Sequence, residues 1–229
     1  GRLWRLRQQV GFKLQSLLQL RLRLKDDVRQ ILWGDDSESD AIIYSLYSDV
    51  CARRWNEKEL QYILKSLHVV GEQTETILSL QEEIPASDPV EKIYINLATD
   101  TDPEYYLKFG RRTVPTYNTF QAALDLLQDK RLAPEQVIRI AQDMVMNYGF
   151  TSDELESSFD NLVRRQLLSD IVVEEILPSL KSQNLFASDY VPSVEPRKVA
   201  ERTGERIYAL EGVSDPWVPE HIDYLHEFR

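Results

Sequence analysis

The chain has 229 residues, 42% apolar and 28% charged, which is enough to bury one or two globular cores. A single cysteine excludes a disulfide-stapled scaffold, and no run of about 18 uncharged apolar residues supplies a membrane-spanning helix. The net charge of −11 argues against nucleic acid as a partner of the whole surface.

The charge is uneven along the chain. Residues 1–34 carry eight basic and two acidic side chains, a net +6, which leaves −17 for the other 195 residues. No acidic residue precedes Asp26. Leu3, Val10, Leu17, Leu24 and Ile31 recur every seven residues, which predicts one amphipathic helix of roughly 30 residues, about 45 Å long. Gly34 is read as its stop. This basic arm supports three readings: packing on its own body, docking on a protein or an anionic membrane surface, and contact with a nucleic-acid backbone. Arg2, Arg5, Arg7, Arg21 and Arg23 are its candidate partner-binding residues.

Residues 35–186 read as a body of helical hairpins. Ser37 with Asp40, Asn56 with Glu59 and Thr151 with Glu154 are spaced as helix-capping pairs. Pro103 and Pro134 suit a first helical position, where a missing N–H costs nothing. Gly71, Gly110 and Gly149 are read as helix stops, and with Gly34 they fall at intervals of 37, 39 and 39. That spacing predicts an all-α, solenoid-like stack of three to four hairpins, preceded by the long amphipathic helix. Only Lys92-Ile-Tyr-Ile-Asn-Leu97 suggests a short strand.

The run Val114-Pro-Thr-Tyr-Asn-Thr-Phe-Gln-Ala-Ala-Leu124 resembles the opening of a pentatricopeptide repeat, over one hairpin at about 116–150. The resemblance implies an organellar RNA-associated protein, with Asn118 as the position that reads RNA.

Residues 187–229 form an aromatic-rich tail, semi-extended with short helices. Trp217, Tyr224 and Phe228 are its candidate anchors for a partner, unless the tail folds back on the last hairpin. Neither a phosphate-binding glycine loop nor a nucleophile elbow nor a zinc helix occurs. His221 and His226 lie five residues apart and point away from each other on a helix, so no metal is expected. Cys51 is read as a buried small hydrophobe. The sequence therefore predicts a protein without enzymatic activity, cofactor or metal. Its expected role is a scaffold or adaptor subunit of a larger complex, binding a protein through the hairpin surface and the termini. The alternative is RNA association through the arm, and peripheral membrane contact through the arm is a third reading. The lone thiol and the missing glycosylation sequon suit an intracellular protein, cytoplasmic or mitochondrial.

Overall fold

The computed structural model describes residues 2–36, 39–198 and 216–226, with side chains from residue 9 onward. Two compact units form. Unit 1 comprises Gly1–Pro115 with Asp215–Arg229, and unit 2 comprises Thr116–Ser214.

Unit 1 is not all-α. Among its described residues are three strands, β1 (Gln30–Asp35), β2 (Val90–Asn96) and β3 (Thr113–Thr116), in one sheet of order β1-β2-β3. β1 and β2 run parallel, with Leu32 opposite Ile93 and Asp35 opposite Asn96. The expected 30-residue arm is instead a 22-residue helix, α1 (Arg2–Arg23), followed by a short turn and β1. The seven-residue period misleads because Ile31, Leu32 and Trp33 continue it. A strand buried in a parallel sheet is an apolar run that periodicity does not separate from helix. Gly34 accordingly lies inside β1 and is not a helix stop.

α1 packs against two further helices, α2 (Asp40–Ala52) and α4 (Gly71–Glu83), while α2 also packs on β1 and β2. Gly71 is thus the first residue of a helix, not the last stop of one. Between α2 and α4 lies α3 (Glu57–Ser66), opened by the expected Asn56–Glu59 capping box. A 3-10 helix (Pro103–Phe109), with proline at its start, connects β2 to β3. Val10, Leu14 and Leu18 of α1, Ile43, Leu46 and Tyr47 of α2, and Ile93 and Ile95 of β2 are buried.

The amino end of the sheet is closed by charge. Asp88, just before β2, accepts from Arg54 Nη2 and Arg112 Nη1, each at 2.6 Å, and from Ser48 Oγ at 2.9 Å. Arg54 also reaches Asp49 at 2.9 Å. Burial would raise the Asp88 carboxyl, but Arg112 and Arg54 outweigh it and hold the group below the usual carboxylate range. The tail docks beside this network. Arg111 and Arg112 N–H groups donate to the Pro216 and Trp217 carbonyls, and the Tyr224 hydroxyl donates to Asp49. Gly110, at φ 86°, permits this approach, since a Cβ there would stand 2.6 Å from the Trp217 carbonyl oxygen.

The described part of unit 2 is helical. α5 (Thr119–Gln128) packs against α6 (Pro134–Tyr148) and α7 (Ser152–Arg164), and α6 packs against α8 (Asp170–Ser182). Proline opens α6, Gly149 ends it at φ 71°, and a Thr151–Glu154 capping box opens α7, as the sequence spacing predicts. Phe120, Phe159, Phe186 and Tyr190 meet edge to face in its core.

The Asp88 network makes a pH-resolved prediction. Asp88→Asn leaves the buried Arg112 guanidinium without its carboxylate and should cost about 3 kcal/mol in urea unfolding. Because the folded-state pKa is depressed, this contribution is complete above the unfolded value and fades as pH falls through the folded one. The stability gap between wild type and Asp88→Asn should therefore be constant from pH 7 to about 5 and close below about 4. A gap unchanged down to pH 2 would contradict this.

Candidate functional site at the carboxyl ends of β1 and β2

In open α/β sheets ligands bind beyond the carboxyl ends of the strands, at the point where the strand order reverses. The order β1-β2-β3 has no such reversal, but the carboxyl ends of β1 and β2 collect polar groups from four segments. β1 ends in Gly34-Asp35 and continues into Asp36, α2 begins with Asp40, α1 contributes Lys13, and the loop after β2 contributes Ala98 to Asp102.

Lys13 Nζ donates to Asp40 Oδ1 at 2.7 Å, with the lysine side chain 28% and the aspartate 7% exposed. The Asp35 N–H donates to the other Asp40 oxygen at 3.3 Å. Gly34 makes this geometry possible. A Cβ at residue 34 would lie 2.4 Å from Asp40 Cβ and 2.6 Å from its Oδ2. The glycine is there for close approach of a carboxylate to the strand, which is one of the two reasons a strand interior tolerates glycine.

Asp36 ties the two strand exits together. Its N–H donates to the Asn96 carbonyl at 3.1 Å, and its Oδ2 accepts from Ala98 N–H at 2.7 Å and from the Thr101 hydroxyl. Asp102 caps the 3-10 helix by accepting from Glu104 N–H at 2.9 Å. Tyr106 of that helix is buried, and its phenol is pushed up to about 12, first by burial and then by the charge of Asp36. It stays a hydrogen-bond donor at neutral pH. The arrangement places a partly exposed lysine paired with Asp40 beside an exposed and a half-buried aspartate, Asp35 and Asp36, at the end of β1.

None of Lys13, Asp35, Asp36 and Tyr106 stands out in a search for short motifs, and Asp40 reads as half of a capping pair. The signal that would have found them is an apolar run closed by glycine and two acids, Ile31-Leu-Trp-Gly-Asp-Asp36, which is how a buried strand reaches a polar crevice.

The residues singled out from sequence fall elsewhere. Arg2, Arg5 and Arg7 belong to the first turns of α1, and their side chains lie outside those described. Arg23 is exposed at the end of α1. Arg21 is 1% exposed, and its guanidinium donates to the Lys25 and Asp26 carbonyls at 2.9 Å each, so it closes the end of its own helix. Trp217 is half-buried, with Lys92 Nζ 5.1 Å and Arg111 Cζ 5.7 Å from its ring centroid. Tyr224 is 1% exposed, and its phenol is held well above the ordinary range by burial and by Asp49. The described tail divides: residues 187–198 fold back on unit 2, where Tyr190 meets Phe159 and Phe186 and Ser193 donates to Asp160, while residues 216–226 pack within unit 1. Phe228 lies outside the described residues. In unit 2, Asn118 caps α5 by accepting from Gln121 N–H, and it donates to Ser158 Oγ at 2.7 Å. Cys51 is buried, and its thiol is pushed up to about 12 by burial. Among the described residues no three His, Cys, Asp or Glu side chains are grouped to hold a metal by themselves. Among them, too, no helix is long and apolar enough to cross a membrane. Neither a protein-family model nor a curated protein nor a solved structure matches this chain.

Two glycines separate close approach from simple flexibility. Gly34→Ala should destabilise unit 1 by about 1–3 kcal/mol, since Asp40 must be displaced. Gly71→Ala meets nothing within 4 Å in α4 and should stabilise by about 0.5 kcal/mol. Urea melts of both variants check the pair, and equal effects would refute the close-approach role.

Proposed function

We propose that unit 1 binds a small phosphate-bearing substrate together with a divalent cation at the carboxyl ends of β1 and β2. That is the arrangement phosphate-ester hydrolysis or phosphoryl transfer requires. The observation that carries this reading is the Lys13–Asp40 pair, a partly exposed lysine side chain whose ammonium is held by a buried carboxylate at the strand exit.

A lysine ammonium is a compact point charge suited to a phosphate oxygen, and Asp40 holds it at the mouth of the crevice. A magnesium ion keeps several waters and needs only one or two protein carboxylates when the substrate's phosphate supplies further oxygens. Asp35 and Asp36 would fill that role. Charge stabilisation of this kind is what phosphoryl chemistry asks of a protein, because positioning and electrostatics carry most of the catalysis. The protonated Tyr106 phenol adds a donor near the same carboxylates.

A second reading, binding of a protein partner, draws on unit 2. There α6 leaves Met146 and Tyr148 81% and 72% exposed. Val145 is exposed as well, and at three residues before Tyr148 it shares a helix face with it, so two large apolar side chains are presented side by side, which favours a contact surface. Such binding would ignore magnesium and Lys13 and would weaken with Met146→Ser and Tyr148→Ser.

Calorimetry with phenyl phosphate separates the two. Binding should require Mg²⁺, should be lost with EDTA, and should weaken at least tenfold, about 1.4 kcal/mol, in Lys13→Met. The double variant Lys13→Met/Asp40→Asn, which leaves no buried unpaired carboxylate, should fold normally and bind as poorly. Unchanged affinity in either variant, or equal binding without a divalent cation, would sink the proposal.

A further inference from the structure

Unit 1 contains a cleft away from the strand exits, at the junction of α3 and the tail. Its volume is about 330 Å³, within the range of small-molecule pockets. Trp55, Tyr62 and Ile63 line it from the α2–α3 connection and α3, and His221, Ile222 and Leu225 line it from the tail. The deep side is Tyr224, which is anchored to Asp49 through its hydroxyl, and Trp55 Nε1 donates to the same Asp49 at 3.2 Å. The Trp55 ring stands 5.2 Å from the His221 ring and 6.4 Å from that of Tyr224. The walls are therefore aromatic and fixed from behind by a buried carboxylate.

Glu59 and Asp223 contribute carboxylates to the lining, and among the described residues no lysine or arginine lines the cleft. Its basic groups are the His221 imidazole in the wall and the His226 imidazole paired with Asp223. Both acids are held in place. Glu59 accepts from Asn56 N–H at 3.1 Å in the α3 capping box, and Asp223 accepts from the N–H groups of Leu225 and His226. The His226 imidazole, hydrogen-bonded to the other oxygen of the same carboxylate, holds it below the usual carboxylate range. Aromatic ring faces attract cations, most strongly tryptophan, and carboxylates at the rim add to that attraction.

We infer that this cleft binds an organic cation with an apolar body, an aryl- or alkylammonium, seated against the Trp55 and Tyr62 rings with its charge toward Glu59 and Asp223. The site is independent of the Lys13 crevice, whose ligand carries the opposite charge. Since half of its wall is tail, an occupant also pins residues 221–225 to α3.

Titration of the full chain with phenethylammonium, followed by tryptophan fluorescence and calorimetry, tests this against 2-phenylethanol, its uncharged near-isostere. The ammonium should bind at least tenfold more tightly than the alcohol. Glu59→Gln keeps an amide that completes the capping box. Combined with Asp223→Asn, it should abolish the preference for the charged ligand. Tyr62→Ala, at a side chain 61% exposed and therefore harmless to the core, should weaken the ammonium about tenfold. Equal affinity for ammonium and alcohol would overturn the proposal, and so would tight ammonium binding that survives the paired charge removal or Tyr62→Ala.

Discussion

A guanidinium with 3% of its side chain exposed has to be paired, and the Arg112–Asp88 contact is the constraint around which unit 1 is organised. Asp88 lies just before β2 and Arg112 just before β3, so their pairing fixes the amino end of the sheet. Arg54 and Ser48 join Asp88 to the end of α2, and Asp49 passes the connection on to Trp55 and Tyr224. Tyr224 thereby reaches a carboxylate 175 positions earlier in the chain. A three-stranded sheet is a small platform, and neither its last strand nor its tail is long enough to be held by backbone pairing alone. The price of burying these charges is visible in Arg112 Nε, which lacks a hydrogen-bond partner among the described residues.

The two ends of the sheet use the same residue types to opposite effect. At the amino end, arginines and aspartates are buried against one another and their charge is spent internally. At the carboxyl end, a lysine and three aspartates sit at the rim, where Lys13 retains access to solvent while Asp40 does not. The physical difference is how the charges are paired: two guanidiniums converge on Asp88, whereas one ammonium meets Asp40. It is why the carboxyl end reads as a site and the amino end as a clamp. Unit 2 is simpler, with capped helices around an edge-to-face aromatic core.

Local punctuation was well legible in the sequence. The capping boxes at Asn56 and Thr151, the prolines that open α6 and the 3-10 helix, and the stop at Gly149 all stand where residue chemistry places them. These features depend on neighbours within four residues. β1 was hidden because its apolar run continued the phase of α1, and β3 because four residues containing a proline carry no periodic signal. Gly34 was misread for a related reason. A glycine before two acids looks like a helix end, while the demand that selects it, the side chain of Asp40, appears only when α2 folds over the strand. The candidate site joins residues 13, 35, 36, 40 and 101, and no local rule connects a lysine in a basic helix to an acid 27 positions on. The charge split was real, yet Arg21 shows that a basic residue in a basic segment can be structural.

The central claim is that the Lys13 ammonium at the β1 exit receives a phosphate oxygen with the help of Asp35 and Asp36. A crystal structure of the protein grown with magnesium and orthovanadate, a phosphate mimic, tests it most directly. The account predicts anion density at about 3 Å from Lys13 Nζ, with an octahedral cation bridging it to the Asp35 or Asp36 carboxylate at about 2.1 Å. An empty strand exit at saturating vanadate, or an anion held elsewhere with the Lys13–Asp40 pair undisturbed, would contradict it.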